Sequence, residues 1–167
     1  MSLDVSNLSV GDALVALRSY PRRFSSLLSP LPGDEETIDA IARRVGPDGV
    51  SALDLLTDAV RTLGLLGQAI HQTVYGESPV LHAGVLDPAA REWPAVDESV
   101  GDLLAQLRDE ATELADAADR VAYRDWDRSA TIAGGGTVQA IDLLREAVRT
   151  ASDDLHGIES TLHATRC

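Results

Sequence analysis

IDLLREAVRTASDDLHGIESTL, residues 141–162, decides the architecture of this chain. Ile141, Leu144, Val148, Ala151, Leu155, Ile158 and Leu162 recur at alternating steps of three and four, the seam of a helix packed nearly parallel to its neighbours. Three glycines, Gly134 to Gly136, lead into it, and Thr137 is placed to cap its first turn. Working outward, Val100, Leu103, Leu107, Ala111, Leu114, Ala118 and Val121 keep the same spacing and predict a helix from about Asp97 to Tyr123. Ser51 with Asp54 resembles a capping box, and Leu53, Leu56, Val60, Leu63 and Ile70 carry a helix from Ala52 to Thr73. A first helix from Asp12 to Leu28 takes Asp12 as its cap, with Pro21 predicted to kink it near Arg18 or restart it there. Pro30, Pro32 and Gly33 stop it, and Asp34 opens a short connecting helix that ends at Arg43 and Arg44 and is closed by Gly46 to Gly49. Residues 76–94 hold Pro79, Gly84, Pro88 and Pro94 and read as one long loop.

Four long amphipathic helices in one 167-residue domain predict an all-α four-helix bundle with room for crossover connections. Composition agrees, with 44% hydrophobic but only 4% aromatic residues, which favours helix on helix over sheet. The 27 acidic residues outnumber the 14 basic ones for a net charge of −13, which repels phosphate backbones and anionic lipid. Nucleic acid and membrane are therefore not expected as partners. No run approaches the roughly 20 apolar residues of a membrane span. The one cysteine, Cys167, can close no disulfide within the chain, so a cytoplasmic location is expected.

The residues offer few chemical motifs. All the basic residues are arginine, so no lysine is present to form a Schiff base. His71, His82, His156 and His163 stand too far apart for a helical metal motif, and no HExxH or ExxH occurs. The Gly134–Gly136 run before a helix could hold an anion, but without a preceding strand or a P-loop lysine it reads as an approach to a capped helix. Trp93 and Trp126 sit in connecting segments, where an aromatic usually plugs the end of a bundle.

Three segments carry a family likeness: DWDRSATIAGGGTVQAIDLLREAVRTASDDLHGIE (125–159), VSALDLLTDAVRTL (50–63) and LRSYPRRFSSLL (17–28). Together they resemble the DinB/YfiT-like family. The resemblance implies a bundle of up-down-down-up topology, often homodimeric. Members include metal-dependent enzymes that use a low-molecular-weight thiol, such as mycothiol-dependent maleylpyruvate isomerase and thiol S-transferases. The family's metal, zinc or nickel, is held by one histidine on the second long helix, seven residues after its opening serine, and by two on the fourth. Those positions fall on Asp58, Arg149 and Asp153. A guanidinium has no lone pair to offer a metal, so no metal cofactor is expected, and a charge-assisted link of Arg149 with Asp58 and Asp153 is expected in its place.

The resulting expectation is a DinB-like protein without the three-histidine site, acting by binding a small ligand or by associating with a partner. The alternative is a mycothiol-type thiol-dependent S-transferase or isomerase, metal-independent or with altered ligands such as His71 or His82. Leu63, Leu65 and Leu66 give the second long helix two apolar faces, from which a homodimer is expected.

Overall fold

The computed structural model describes residues 2–29, 35–95 and 97–166. The expected breaks at Pro30, Pro32 and Gly33, the start at Asp34 and the terminal Cys167 lie outside them. The elements follow in the order α1 (Val10–Leu27), α2 (Glu35–Ala42), α3 (Ala52–Tyr75), β1 (Val80–Leu81), α4 (Val100–Asp119), β2 (Ser129–Ile132), β3 (Thr137–Gln139) and α5 (Ala140–Thr165).

Local chemistry sets the helix starts. Ser51 and Asp54 form a reciprocal capping box at α3, as the sequence predicts. At α1 the cap is Ser9, three residues before the expected Asp12, whose backbone N–H it accepts. Ser99 caps α4 in the same way. Pro21 does not divide α1, which runs unbroken from Val10 to Leu27. Leu17, Tyr20 and Phe24 lie on one fully buried stripe on both sides of the proline, and that shared burial outweighs the single backbone bond a proline removes.

The four long helices surround one core. α3 packs on α4 and α5, and α1 packs on the same two. The consecutive long helices α1 and α3 thus sit across a diagonal, as do α4 and α5, the arrangement that crossover connections produce. Tyr20 crosses the interior, its hydroxyl donating to the Val148 carbonyl at 3.2 Å. Leu63 and Leu66 are both buried in this core, and Leu65 is partly buried against it.

The all-α expectation needs correcting. A three-stranded sheet, in the order β1-β2-β3, closes one end of the helices. β2 pairs antiparallel with β3, and β1 joins β2 in parallel through Val80–Thr131 and Leu81–Ile132. Gly134, Gly135 and Gly136 all take positive φ, conformations that make them the reversal between β2 and β3. Thr137 therefore belongs to β3 and caps nothing. α5 begins directly from the strand at Ala140, without a side-chain cap. Part of the expected 76–94 loop is ordered too, by β1 and by 3₁₀ turns at Ala83–Val85 and Pro88–Ala90. Among the described residues, no helix is long and apolar enough to cross a membrane.

Candidate functional site

The polar centre of the molecule lies between α3 and α5. Residues four apart on a helix share a face, and Glu146, Thr150 and Asp154 form such a stripe on α5, each more than nine-tenths buried. Arg149 and Asp153 form the adjacent stripe, with side chains 27% and 32% exposed. α3 contributes Asp58 and, one turn on, Thr62. Arg91 and Trp93 come from the segment between β1 and α4.

That segment is shaped to deliver Arg91. His82 Nδ1 accepts the Gly84 N–H at 2.9 Å and so caps the first 3₁₀ turn, and Asp87 accepts from Ala89 at the second. The chain then returns, and Arg91 Nε donates to the Gly84 carbonyl at 2.7 Å. A Cβ on Gly84 would stand 2.9 Å from His82 Nδ1 and 3.1 Å from Arg91 Cγ, so a side chain there would push on the guanidinium's stem.

Glu146 is held from two sides. Arg91 Nη2 donates to its Oε1 at 3.0 Å, and Arg91 Nη1 reaches the Thr150 hydroxyl at 3.4 Å. The Arg91 side chain is only 2% exposed, so its fork fits an enclosed carboxylate, hydroxyl and carbonyl. From the other side Arg149 Nε donates to Glu146 Oε2 at 2.8 Å and Arg149 Nη2 to Oε1. Arg149 Nη1 donates to Asp153 Oδ2 at 2.9 Å, an oxygen that also accepts the Ser2 hydroxyl. The hydrogen bond to Glu146 is the main cause holding the Arg149 guanidinium above its ordinary pKa, against the opposing effect of burial.

The second part of the centre is a pair of carboxyls. Trp93 Nε1–H donates to Asp58 Oδ1 at 2.7 Å, and the Thr62 hydroxyl lies 3.5 Å from the same oxygen. Asp154 faces Asp58, and burial, followed by the Asp58 charge and their mutual hydrogen bond, pushes its carboxyl up to about 9, with Arg91 opposing. As a carboxylate its buried Oδ2 would have no donor. As a neutral acid it can instead donate to Asp58.

The three residues taken from the resemblance are not brought together. Arg149 and Asp153 do pair, as their one-turn spacing implies, but the other partner of Arg149 is Glu146 rather than Asp58. Asp58 instead meets Asp154 and Trp93. The reason is rotation, since neighbouring positions on a helix differ by about 100°, and the stripe that faces Asp58 is that of Asp154. Sequence reasoning missed Glu146, Thr150 and Asp154, although their steps of four were visible, and it missed Arg91. Trp93, expected as an end plug, is a hydrogen-bond donor to the centre. His82 caps a turn, His71 lies against the Tyr75 ring, and His156 Nδ1–H donates to the Ser152 carbonyl at 2.9 Å.

These residues do not fit the metal that the resemblance implies. Asp58 is engaged by an indole N–H, and a buried guanidinium lies against Glu146. A fixed cation among the donors repels a second one. Among the described residues, no group of three or more His, Cys, Asp or Glu is arranged to hold a metal ion.

Open space lies beside this centre. A cleft of about 550 Å³ is lined by Ser2, Asp48, Asp153, His156, Ser160 and Thr161 among others. A second, of about 380 Å³ between α3 and α4, includes His71 and Glu110; burial, then Glu113, raises the Glu110 carboxyl above its ordinary pKa. Arg91, Glu146 and Asp154 line neither cleft.

No protein-family model matches the chain, and no curated protein does. Among solved structures, the crystal structure of the mycothiol-dependent maleylpyruvate isomerase matches with a TM-score of 0.64 at 18% identity over 97% of this chain. A point mutant of that isomerase matches with the same TM-score at 16% identity. The chain spans 64% of the length of both, and at this identity the likeness is one of fold.

Proposed function

We propose that this chain is a metal-independent relative of the DinB/YfiT-like bundles that acts by binding a small ligand. The observation that carries the reading is the Arg91 guanidinium, 2% exposed, bonded to Glu146 and Thr150 in the polar interior. The centre holds a positive charge of its own. The side chains of Asp58, Arg149 and Asp153, the positions taken from the resemblance, are spent on Trp93, Glu146, Ser2 and one another. The cleft of about 550 Å³ that shares Asp153 with this network gives a ligand room. Self-association belongs to the proposal through the family likeness alone. Elemental analysis of the wild-type chain, purified with zinc and nickel available, tests the reading. No stoichiometric metal and no loss of stability on chelation are expected; one zinc or nickel per chain overturns it.

The alternative, a metal-independent thiol-dependent transferase or isomerase, is favoured by the mycothiol dependence of the two fold neighbours. A mycothiol-dependent isomerase and S-transferase assay separates the two readings, since turnover that survives chelation supports this one and binding without turnover supports the first.

A further inference from the structure

We propose that Glu146, Thr150 and the Gly84 carbonyl form a receptor for a guanidinium group, occupied in this structure by the chain's own Arg91, and that a small guanidinium-bearing ligand binds there by displacing the Arg91–Trp93 segment. The inference rests on the metal-independent reading above and goes further by giving a site and a ligand class.

The receptor has the geometry that a planar fork demands. Three different acceptors meet three different nitrogens of one guanidinium: the Gly84 carbonyl at Nε, the Thr150 hydroxyl at Nη1 and Glu146 Oε1 at Nη2. An ammonium, with three donors on one atom, cannot span acceptors spread over a turn and a helix. Two of these acceptors are among the most enclosed polar groups of the molecule, Glu146 being 8% and Thr150 4% exposed. Arg149 secures the Glu146 carboxylate from outside, so the acceptor keeps its orientation when Arg91 leaves. A second observation marks this interior as incompletely satisfied: Asp154 is 7% exposed, and its Oδ2 has no hydrogen-bond partner.

The occupant comes from an irregular stretch of the chain. From Arg91 to Ala95 the backbone has no secondary structure, and the side-chain hydrogen bonds that tie this stretch to α3 and α5 are those of Arg91 and Trp93. Withdrawing it uncovers Asp58, Glu146, Thr150 and Asp154 together while leaving the long helices packed. Asp58 and Glu146 thus exposed outnumber the one guanidinium that remains, Arg149, so the vacated space selects a cation.

Arg91→Ala in the full chain tests this, with methylguanidinium chloride as the probe and methylammonium chloride and sodium chloride as controls. The thermal midpoint of the variant should rise saturably by several degrees with methylguanidinium. Half-saturation should come at a concentration at least about tenfold lower than for methylammonium, and the wild-type midpoint should respond only at higher concentrations, where the probe displaces Arg91. Should the variant be unfolded by itself, refolding in methylguanidinium but not in methylammonium is the expected result, and failure in both overturns the proposal. It is also overturned if variant and wild type respond alike, if both organic cations act equally, or if zinc or nickel stabilises the variant and methylguanidinium does not. None of these results depends on the metal content of the wild type, so the two proposals fail separately.

Discussion

Two guanidiniums meet the same carboxylate from opposite directions, and they are not equivalent. Arg149 reaches Glu146 from three residues along its own helix, with its side chain 27% exposed. Arg91 reaches it from a segment 55 residues away in sequence, with its side chain 2% exposed. The first contact forms whenever α5 forms, so it contributes little to the choice of tertiary structure. The second exists only when the β1–α4 segment is docked. The comparison teaches that the contact invisible to sequence spacing is the one that ties separate parts of the fold together.

Breaking the distant contact should have the largest effect. Arg91→Ala leaves Glu146 to Arg149 alone and Thr150 without its donor, and breaking a buried pair typically costs about 3–5 kcal/mol. Urea denaturation of this variant should show that loss. A midpoint equal to that of Arg108→Ala, an arginine with 67% side-chain exposure, would show that the buried pair adds nothing to stability.

Next in size is a dependence on pH. Asp154 holds its proton up to about 9 in the fold, against an ordinary value of 3.8. Below the ordinary value both folded and unfolded chains carry the proton, and the contribution to stability is fully present. As the pH rises above it, the unfolded chain releases the proton and the folded chain does not, so stability falls by at most about 1.4 kcal/mol per pH unit until the folded value is passed. Asp154→Asn keeps a neutral donor toward Asp58 and removes the titration. The variant should therefore lose this component of the slope and gain on the wild type as the pH rises from mildly acidic to alkaline. Parallel stability curves would mean that Asp154 is ionised in the folded chain.

The smallest effect belongs to the local contact. Arg149→Ala removes a half-exposed link that solvent screens, and about 1 kcal/mol is expected, read by the same denaturation. If it equals Arg91→Ala, the distinction between the two guanidiniums fails.

The four long helices were legible because each carries its own period and most carry their own cap, as Ser51 and Asp54 do for α3. The strands were not. β1 is two residues long, and its pairing with β2 depends on a stretch 51 positions further along, Val80 meeting Thr131, which no local pattern announces. The three glycines were visible, but their positive φ angles decide between a flexible lead-in and a hairpin only once both flanking strands are known. At the site, Arg149 and Asp153 were singled out through the family resemblance, and their one-turn spacing lets them pair. Arg91 could not, because its place is set by turns capped by His82 and Asp87 rather than by any periodic element.

The parallel pairing of β1 has one more consequence, for competition. Leu81 is stitched to the hairpin by its carbonyl, which accepts from Ala133 at 2.8 Å, and Arg91 follows only ten positions later. A group on so short a leash presents itself to its receptor at an effective concentration on the order of millimolar or above. Any diffusing guanidinium compound must overcome that standing local supply before it gains entry, so the strand sets a threshold for occupancy without touching the receptor. Lengthening the chain between Leu81 and Arg91 would lower the threshold roughly as the −3/2 power of the loop's length, while every contact inside the receptor stayed the same.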